Sequence, residues 1–195
     1  MTDLTSQRSD ARRNREKLLA AAADAFATSG VSSSLEEIAR QAGVGVGTLY
    51  RHFPSREALV VATYRHEVEQ LCDSVGDLQA TMAPDAALRA WMDGFIRYTA
   101  AKRGMGEALQ AVMASDSALY ADAYAGLVAA LDALIGAAVA AGTIRPDARG
   151  EDVLRALGAI WMIRESEQRE EQAKRVLDLL MDGLRYDASR RAPSG

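Results

Sequence analysis

The sequence predicts an all-α protein with about nine helices, and three observations carry that prediction. Apolar residues make up 49% and charged residues 26% of the 195 residues, and good helix formers dominate. The four prolines fall between helical patterns rather than inside them: Pro54, Pro84, Pro146 and Pro193. Alternation of β-branched and polar residues, the pattern of a strand, does not persist for long anywhere in the chain.

The first predicted helix, about 13–28, carries its apolar residues on one face and stops at Gly30. The second helix begins at Ser33 or at Ser34, because each of these serines lies three residues before a glutamate. This capping-box pattern fits both registers, so both starts remain open. The second helix ends near Gly43.

A short third helix and then longer helices follow. Ser55 is the predicted cap of the fourth helix and Ser166 that of the last one. The predicted ranges are about 46–52, 56–78, 84–102, 106–114, 117–141, 151–164 and 167–185.

The predicted organisation has four parts along the chain. These are a basic flexible arm at 1–12, a three-helix head at 13–55, a helical body at 56–186 and a flexible tail at 187–195. No apolar run reaches the roughly 18–20 residues of a membrane span, and the N-terminus lacks the apolar core of a secretory signal. We therefore expect a cytoplasmic protein without a membrane partner.

The charge is distributed unevenly. The whole chain carries a net charge of −4, but residues 1–66 hold nine basic and seven acidic residues, a net charge of +2, while the remainder has −6. Basic residues are densest between Arg8 and Lys17. A basic segment of this kind can neutralise phosphates and release counterions, and its alternative is a solvated tail.

Residues 35–53, LEEIARQAGVGVGTLYRHF, have the pattern of a helix-turn-helix. The small Ala39 lets two helices cross closely, and Gly43 tolerates the positive φ that a sharp turn often demands. Val44 and Leu49 are predicted to point into the core, which leaves hydroxyl, phenol and basic side chains for an outside partner. Such groups suit phosphate oxygens and base edges in the major groove of DNA.

Residues 13–60 closely resemble the DNA-binding domain of the TetR (AcrR-like) transcriptional regulators. The segments KLLAAAADAFATSG, SLEEIARQAGV and GTLYRHFPSREAL carry the resemblance, in the order and spacing of the family. It implies an all-α homodimer with a helix-turn-helix head, a ligand-binding body and operator DNA as partner. It also implies DNA contacts at Thr48, Tyr50 and His52, and it places Arg56 where a phosphate-binding lysine is usual.

One departure from the family pattern concerns Gly45, which stands where a serine is frequent, so that a hydroxyl contact to DNA is lost. The full set of predicted DNA-binding residues is Arg12, Arg13, Ser33, Ser34, Gly45, Val46, Thr48, Tyr50, Arg51, His52 and Arg56.

Residues 88–109 are similar to the C-terminal domain of the SbtR-like branch of the family. The aromatic and methionine side chains of the body have two interpretations, which are core packing or the lining of a pocket for a small, largely apolar effector. Two i,i+4 aromatic pairs share single helix faces and favour the pocket for some of the group. The predicted effector-binding residues are Trp91, Phe95, Met113, Tyr120 and Tyr124.

The last two helices carry apolar stripes. Two such helices from each of two subunits would form a four-helix bundle, and the alternative is packing within one subunit. The predicted dimerisation residues are Leu157, Ile160, Trp161, Val176, Leu177, Leu180 and Leu184.

The predicted mechanism is that of a dimer whose two recognition helices enter successive major grooves of a palindromic site. An effector bound in the body would change the spacing of the two heads, and the tilt of the fourth helix is the predicted transmission element. Repression relieved by the ligand is the common mode in the family.

Other classes of protein fit less well. The glycines at 43–48 follow a helix rather than the strand that a dinucleotide-binding loop requires. No histidine follows His66, and neither a nucleophile motif nor metal-ligand spacing is present, so we expect no enzyme, cofactor or metal. The remaining alternatives are a DNA-binding protein without an effector, a helical small-molecule-binding protein and a protein-interaction adaptor.

Overall fold

The structure, a computed structural model, describes residues 3–115, 117–164, 166, 168–186 and 188, and their side chains except those of 3–8, 107, 113–115 and 117. These described residues form helices and no strand, which confirms the all-α prediction. The helices are α1 (Asp3–Ser29), α2 (Leu35–Gln41), α3 (Val46–His52), α4 (Arg56–Thr81), α5 (Pro84–Ser115), α6 (Ser117–Ala140), α7 (Gly150–Leu157) and α8 (Arg169–Arg185), with 3-10 segments at Gly30–Ser32 and Gly158–Met162.

Helix α5 is broken at Gly106, whose φ of 40° and ψ of −123° are not helical. The two pieces of α5 correspond to the separate helices that the sequence predicts at 84–102 and 106–114. Counted in this way, the described residues contain the nine predicted helical segments.

The start of α1 differs from the prediction. The helix begins at Asp3 rather than near Arg13, so the described residues of the predicted flexible arm are helical. Neither glycine nor proline interrupts residues 3–29, and ion pairs of Arg12 with Glu16 and of Arg13 with Asp10 have helical spacing. Residues 1 and 2 lie outside the described part.

The last two helices also begin or end differently. The predicted helix 151–164 is α-helical only to Leu157 and continues as a 3-10 segment. The predicted cap Ser166 is wrong, because α8 starts at Arg169 and the Ser166 carbonyl accepts a bond from the Arg169 amide in the preceding turn, at 3.1 Å. The predicted tail lies outside the described residues apart from residue 188.

The described residues divide into two compact units. The first comprises Met1–Glu67 and Ala100–Leu119, so packing does not follow the predicted boundary at residue 55. In this unit α1 packs against α2, and α2 against α3. Of the predicted inward residues, Val44 is only half-buried, because it lies in the turn after α2. The others are buried: Leu18, Leu19, Ala22, Ala23, Phe26, Leu35, Ile38, Ala39 and Leu49.

A close backbone approach explains why residues 100–119 belong to the first unit. A Cβ added to Gly104 would lie 1.7 Å from the carbonyl oxygen of Phe26 and 3.0 Å from the amide nitrogen of Ala27. Only glycine permits this crossing of α5 over the end of α1. The ammonium of Lys102 lies 5.8 Å from the centre of the Tyr64 ring, a cation–π contact that joins α5 to α4.

The second unit comprises Val68–Thr99 and Tyr120–Gly195. Its helices are joined by hydrogen bonds and ion pairs as well as by apolar packing. The indole of Trp91 donates to the Leu71 carbonyl at 2.9 Å, and Arg89 pairs with Asp178 at 2.8 Å. These contacts tie α5 to α4 and to α8.

One segment of α6, Ala118–Ala140, is long and apolar enough to cross a membrane by length and composition. This segment contains no uninterrupted apolar run of that length, because Asp122 and Asp132 lie within it. The feature is weak evidence for a span, since the core helix of a water-soluble protein passes the same test, and 39% of the tested window is buried. The Asp132 carboxylate accepts a hydrogen bond from the Gly150 amide at 2.8 Å, so this helix also makes polar contacts within the unit.

Candidate DNA interface

The turn between α2 and α3 requires a glycine. Gly43 has φ +69°, a value that L side chains rarely adopt. The Val44 amide donates to the Ala39 carbonyl and the Gly43 amide to the Arg40 carbonyl, at 3.0 and 3.1 Å. These bonds satisfy the end of α2 and turn the chain sharply into α3.

The start of α2 is capped by Ser34, which resolves the two registers of the capping pattern. The Ser34 hydroxyl accepts from the Glu37 amide at 3.3 Å and donates to the Glu36 carboxylate at 2.7 Å. The bond from this hydroxyl is the main cause that holds the pKa of Glu36 below its usual value. Ser34 therefore both caps the helix and orients an exposed carboxylate.

Helix α3 is anchored by one residue and exposes the others. Leu49 is fully buried, whereas Val46 is 39% and Tyr50 47% exposed. Arg51 is exposed as well, and Thr48 and His52 are half-buried. A helix of two turns with one apolar anchor presents most of its surface to a partner.

The exposed surface of α3 has a positive and hydrogen-bonding character. Residues 46–52 contain no carboxylate, and Arg51 and His52 lie in the last turn. The nearest described partner of the Arg51 guanidinium is the Thr48 hydroxyl, a weak contact at 3.4 Å. Such groups can donate to phosphate oxygens and base edges.

Arginines of α1 extend the positive surface of the first unit. The side chains of Arg12 and Arg13 are 79% and 67% exposed, and their ion pairs with acidic neighbours are long, at 3.7 and 3.5 Å. Exposed pairs of this kind are weak and leave the guanidinium available. Arg15 is not among the predicted DNA-binding residues, but its guanidinium lies 5.6 Å from the centre of the Phe53 ring at the end of α3. Its spacing of three from Arg12 was the available signal.

Two of the predicted DNA contacts are engaged inside the protein. The Ser33 hydroxyl shares its one proton between the carbonyls of Gly30 and Ala25, at 2.7 and 3.1 Å. One guanidinium nitrogen of Arg56, Nη1, donates to the carbonyls of Val31 and Ser33. Both residues thus stabilise the segment that leads into α2.

The described effector-binding residues of the prediction form two aromatic pairs, one on α5 and one on α6. Trp91 and Phe95 are 1% and 5% exposed, and their rings stack at 6.0 Å in the core of the second unit. Tyr120 and Tyr124 also pair, at 6.2 Å, but Tyr120 is 48% exposed. The Tyr124 hydroxyl donates to Glu151 at 3.3 Å, and its burial, followed by the negative charge of Glu151, raises the pKa of the phenol. The side chain of Met113 lies outside the described part.

An open cleft of about 390 Å³ lies elsewhere in the second unit. It is formed by the loop 145–149, the start of α7 and the end of α8, and it includes Leu180 and Leu184. Its charged lining is partly paired, because Arg145 holds Asp147 in two bonds at 2.6 and 2.7 Å. The residues that line it include none of the predicted effector-binding residues.

The predicted dimerisation residues fall into two groups. Four of them fill the core of their own unit and are at most 6% exposed: Leu157, Ile160, Leu177 and Leu184. Trp161 is 40% exposed, and Val176 and Leu180 are half-buried. The most exposed apolar residues of these elements are not among the predicted ones: Met162 is 83% and Leu179 73% exposed.

The fold and the site together define a class of protein. A three-helix head, a glycine turn and a short exposed helix with phenol, hydroxyl and basic groups are the parts of a helix-turn-helix DNA-binding protein.

The family follows from comparison with known proteins. The family model of the bacterial regulatory proteins of the tetR family matches residues 18–63. The model of the C-terminal domain of SbtR-like transcriptional regulators matches residues 83–186. The chain belongs to the TetR family of bacterial regulatory proteins, whose members are DNA-binding transcriptional regulators.

Solved structures agree in fold and in sequence. The TetR transcriptional regulator SCO0520 of Streptomyces coelicolor is 51% identical, with a TM-score of 0.82 over 88% of this chain and 98% of that one. A TetR transcription regulatory protein of Mycobacterium vanbaalenii is 35% identical, with a TM-score of 0.73 over 92% and 99% of the two chains.

Among curated proteins, the HTH-type transcriptional regulator SAR0097 of Staphylococcus aureus (strain MRSA252) is 37% identical over 76 residues, which are 38% of this chain and 40% of that protein. The match to the curated relatives thus spans about two fifths of their length.

Proposed function

We propose that this chain is a ligand-responsive transcriptional repressor that binds a near-palindromic DNA operator as a homodimer. A small, largely apolar effector releases it from the operator, and it acts in the cytoplasm. The observation that carries the proposal is the surface of α3, where Tyr50 and Arg51 are exposed without a carboxylate on the same helix.

In this proposal α3 lies in the major groove. Tyr50 and His52 contact the DNA backbone or base edges, and Thr48 and Arg51 add a hydroxyl and a positive charge. Arg12 and Arg13 of α1 contribute phosphate contacts, and Arg15 is added to this set because it lies against the end of α3. In this proposal Ser34 acts as the cap of α2 and is not a DNA contact.

The test of DNA binding is selection of bound duplexes from a random pool at a stated salt concentration. We expect one inverted repeat, since a twofold dimer binds two half-sites. Tyr50→Ala and His52→Ala should each weaken binding to that duplex at least tenfold, while far-ultraviolet circular dichroism stays unchanged. Tyr186→Ala, which removes a tyrosine that is 74% exposed in the second unit, is the matched control and should bind normally. Recovery of no duplex by a folded dimer, before and after stripping of ligand by refolding, would contradict the proposal.

We propose that the homodimer forms through the exposed and half-buried apolar residues of the 3-10 segment Gly158–Met162 and of α8. These residues are Trp161, Met162, Val176, Leu179 and Leu180. Residues 176, 179, 180 and 183 share a face of α8 by their spacing, and Leu179 is the most exposed apolar residue on it. Two such faces, one from each subunit, would bury the leucine side chains against each other.

For the effector we keep the body aromatics as the proposed site, with Trp91 and Phe95 as the apolar wall. Binding there requires the packed pair to open, since both rings are buried. The chain has two tryptophans, so Trp161→Phe leaves Trp91 as a single fluorescent reporter. Because Trp161 belongs to the proposed dimer surface, this variant must first be shown to form the dimer and to bind the selected duplex as the original protein does. A ligand that changes this fluorescence and also releases the selected duplex supports the proposal.

The competing function is a DNA-binding protein without an effector, and the complete burial of Trp91 favours it. In that case apolar ligands that alter the Trp91 signal will leave DNA binding unchanged. Helix α4, which runs from Arg56 to Thr81, is the proposed transmission element, and it has a role only if an effector exists.

A further inference from the structure

We propose that Arg56 is a positioning residue that holds the start of α2 for DNA binding and does not contact phosphate itself. The inference rests on the proposed DNA-binding function and assigns a different role to a residue whose position in the family pattern implies a phosphate contact. We call Arg56 and its two acceptors, Val31 and Ser33, the Arg56 clasp.

The contacts of the clasp join distant parts of the chain. Arg56 is the first residue of α4, and its Nη1 donates to the Val31 carbonyl at 2.5 Å and to the Ser33 carbonyl at 2.7 Å. A guanidinium Nη has two N–H donors, so these two carbonyls use both donors of this nitrogen. Hydrogen bonds from a charged donor are stronger than neutral ones.

The acceptors lie in the segment that determines where α2 begins. Residues Gly30–Ser32 form a single 3-10 turn, and Ser34 is the cap of α2. Ser33 lies between them, and its hydroxyl donates to the carbonyls of Ala25 and Gly30. Ser33 is thus bound to the end of α1 by its side chain and to the start of α4 by its carbonyl.

The surroundings of Arg56 do not favour a phosphate. Its positive charge contributes, as the smallest of the named causes, to the lowered pKa values of Glu36 and Glu57, whose main causes are the Ser34 hydroxyl and a backbone N–H. Two carboxylates near the guanidinium reduce its attraction for another anion. Arg56 is also half-buried, unlike Arg12, Arg13 and Arg51.

The first experiment measures the salt dependence of binding to the selected duplex. The logarithm of the binding constant falls with the logarithm of the salt concentration, and each phosphate contact adds about 0.9 to the steepness of this fall. Loss of one contact in each subunit of a dimer therefore makes the slope less steep by about 1.8. We expect Arg56→Gln to weaken binding about tenfold at every salt concentration with an unchanged slope. Arg155→Gln removes an exposed arginine of α7 and is the matched control, which should change neither affinity nor slope.

A conservative variant separates the two roles further. Arg56→Lys keeps the positive charge, but its ammonium nitrogen lies one bond closer to the backbone than Nη1 does, so it cannot reach both carbonyls at the same distances. We expect it to bind DNA more weakly than the original protein. A lysine variant with full affinity, or a slope lowered by about 1.8 in Arg56→Gln, would overturn the clasp.

The second experiment needs no DNA. The Ser33 amide donates to the Gly30 carbonyl at 3.2 Å, and we expect its hydrogen exchange to be about tenfold faster in Arg56→Gln. Unchanged exchange at Ser33 would overturn the clasp even if DNA binding is lost. If no duplex is ever selected, the proposed function fails, and this measurement still decides the role of Arg56.

Discussion

Helices α3 and α8 are both anchored by fully buried leucines, but they expose different surfaces. In α3 the anchor is Leu49, and the exposed groups are a phenol and a guanidinium without a carboxylate on the helix. In α8 the anchor is Leu177, and the exposed apolar residue is Leu179, surrounded by charges of both signs.

Several charges of α8 are neutralised by ion pairs, some of them on the helix itself. Lys174 pairs with Glu170 at 2.7 Å and Arg175 with Glu171 at 2.9 Å, both at i,i+4 spacing. In α3 no such pairing is available to Arg51. A surface whose basic groups have no carboxylate on the same helix suits a polyanion, whereas paired charges around exposed leucines suit a second protein surface. The contrast teaches that pairing, rather than the number of basic residues, distinguishes the two surfaces.

The largest expected effect comes from removing the two anchors. Leu49→Ala and Leu177→Ala each delete a side chain with no exposed area, and each should lower the free energy of unfolding by about 2–5 kcal/mol. Denaturant unfolding measures the loss. We expect Leu49→Ala to weaken DNA binding more than Leu177→Ala does. Binding is compared without denaturant, at a temperature at which both variants are folded. Equal losses of DNA binding would remove the distinction between the two helices.

The next effect concerns the exposed leucine of α8. Leu179→Glu places a charge in the proposed dimer surface and should raise the dimer dissociation constant at least tenfold, measured by sedimentation equilibrium. Its effect on monomer folding should be small, since Leu179 is 73% exposed. Tyr50→Glu is the matched change on α3 and should abolish DNA binding while the dimer persists. A dimer unaffected by Leu179→Glu would place the subunit contact elsewhere.

A smaller effect compares one arginine from each helix. Arg51→Gln should lower the salt slope of DNA binding by about 1.8 in a dimer, because one phosphate contact is lost per subunit. Arg175→Gln removes an arginine that is paired with Glu171 and should leave the slope unchanged. Identical slopes for the two variants would mean that Arg51 does not contact phosphate.

Much of the first unit could be predicted from the sequence because its signals are local. Glycine at the turn, serine before α2 and the spacing of apolar residues act within a few residues of each other. The inward orientation of Arg56 could not be predicted, since its acceptors lie 25 and 23 positions away. A family pattern places Arg56 at a phosphate, whereas the folded chain places it at two carbonyls.

The second unit was harder to predict, because an apolar stripe does not say which neighbour it meets. In α8 the buried residues are Ala173, Leu177, Met181 and Leu184. Val176 and Leu180, which were predicted on the same apolar stripe as Leu177 and Leu184, are only half-buried. Leu179 lies outside this stripe, and for that reason the apolar spacing did not predict it as a dimerisation residue. Gly104 carried no local signal either, since its role is a backbone approach to Phe26.

The smallest expected effect tests the uncapped starts of the two helices. Neither Gly45 before α3 nor Gln168 before α8 makes a side-chain capping bond. Gly45 has the extended dihedrals of a cap, φ −71° and ψ 146°, and a Cβ there meets no atom within 4 Å. Gly45→Ser should therefore stabilise the protein by a few tenths of a kcal/mol, whereas Gln168, at φ −94° and ψ 2°, is not in that conformation and Gln168→Ser should gain nothing.

The same substitution bears on DNA binding, because the family frequently has serine where this chain has Gly45. If the new hydroxyl also reaches a phosphate, Gly45→Ser should tighten binding to the selected duplex about three- to tenfold, beyond its effect on folding. Gly45→Ala is the control, since it stiffens the backbone without supplying a hydroxyl. A tighter complex with alanine as well as with serine would show that helix order, and not a hydroxyl contact, limits the affinity of α3 for DNA.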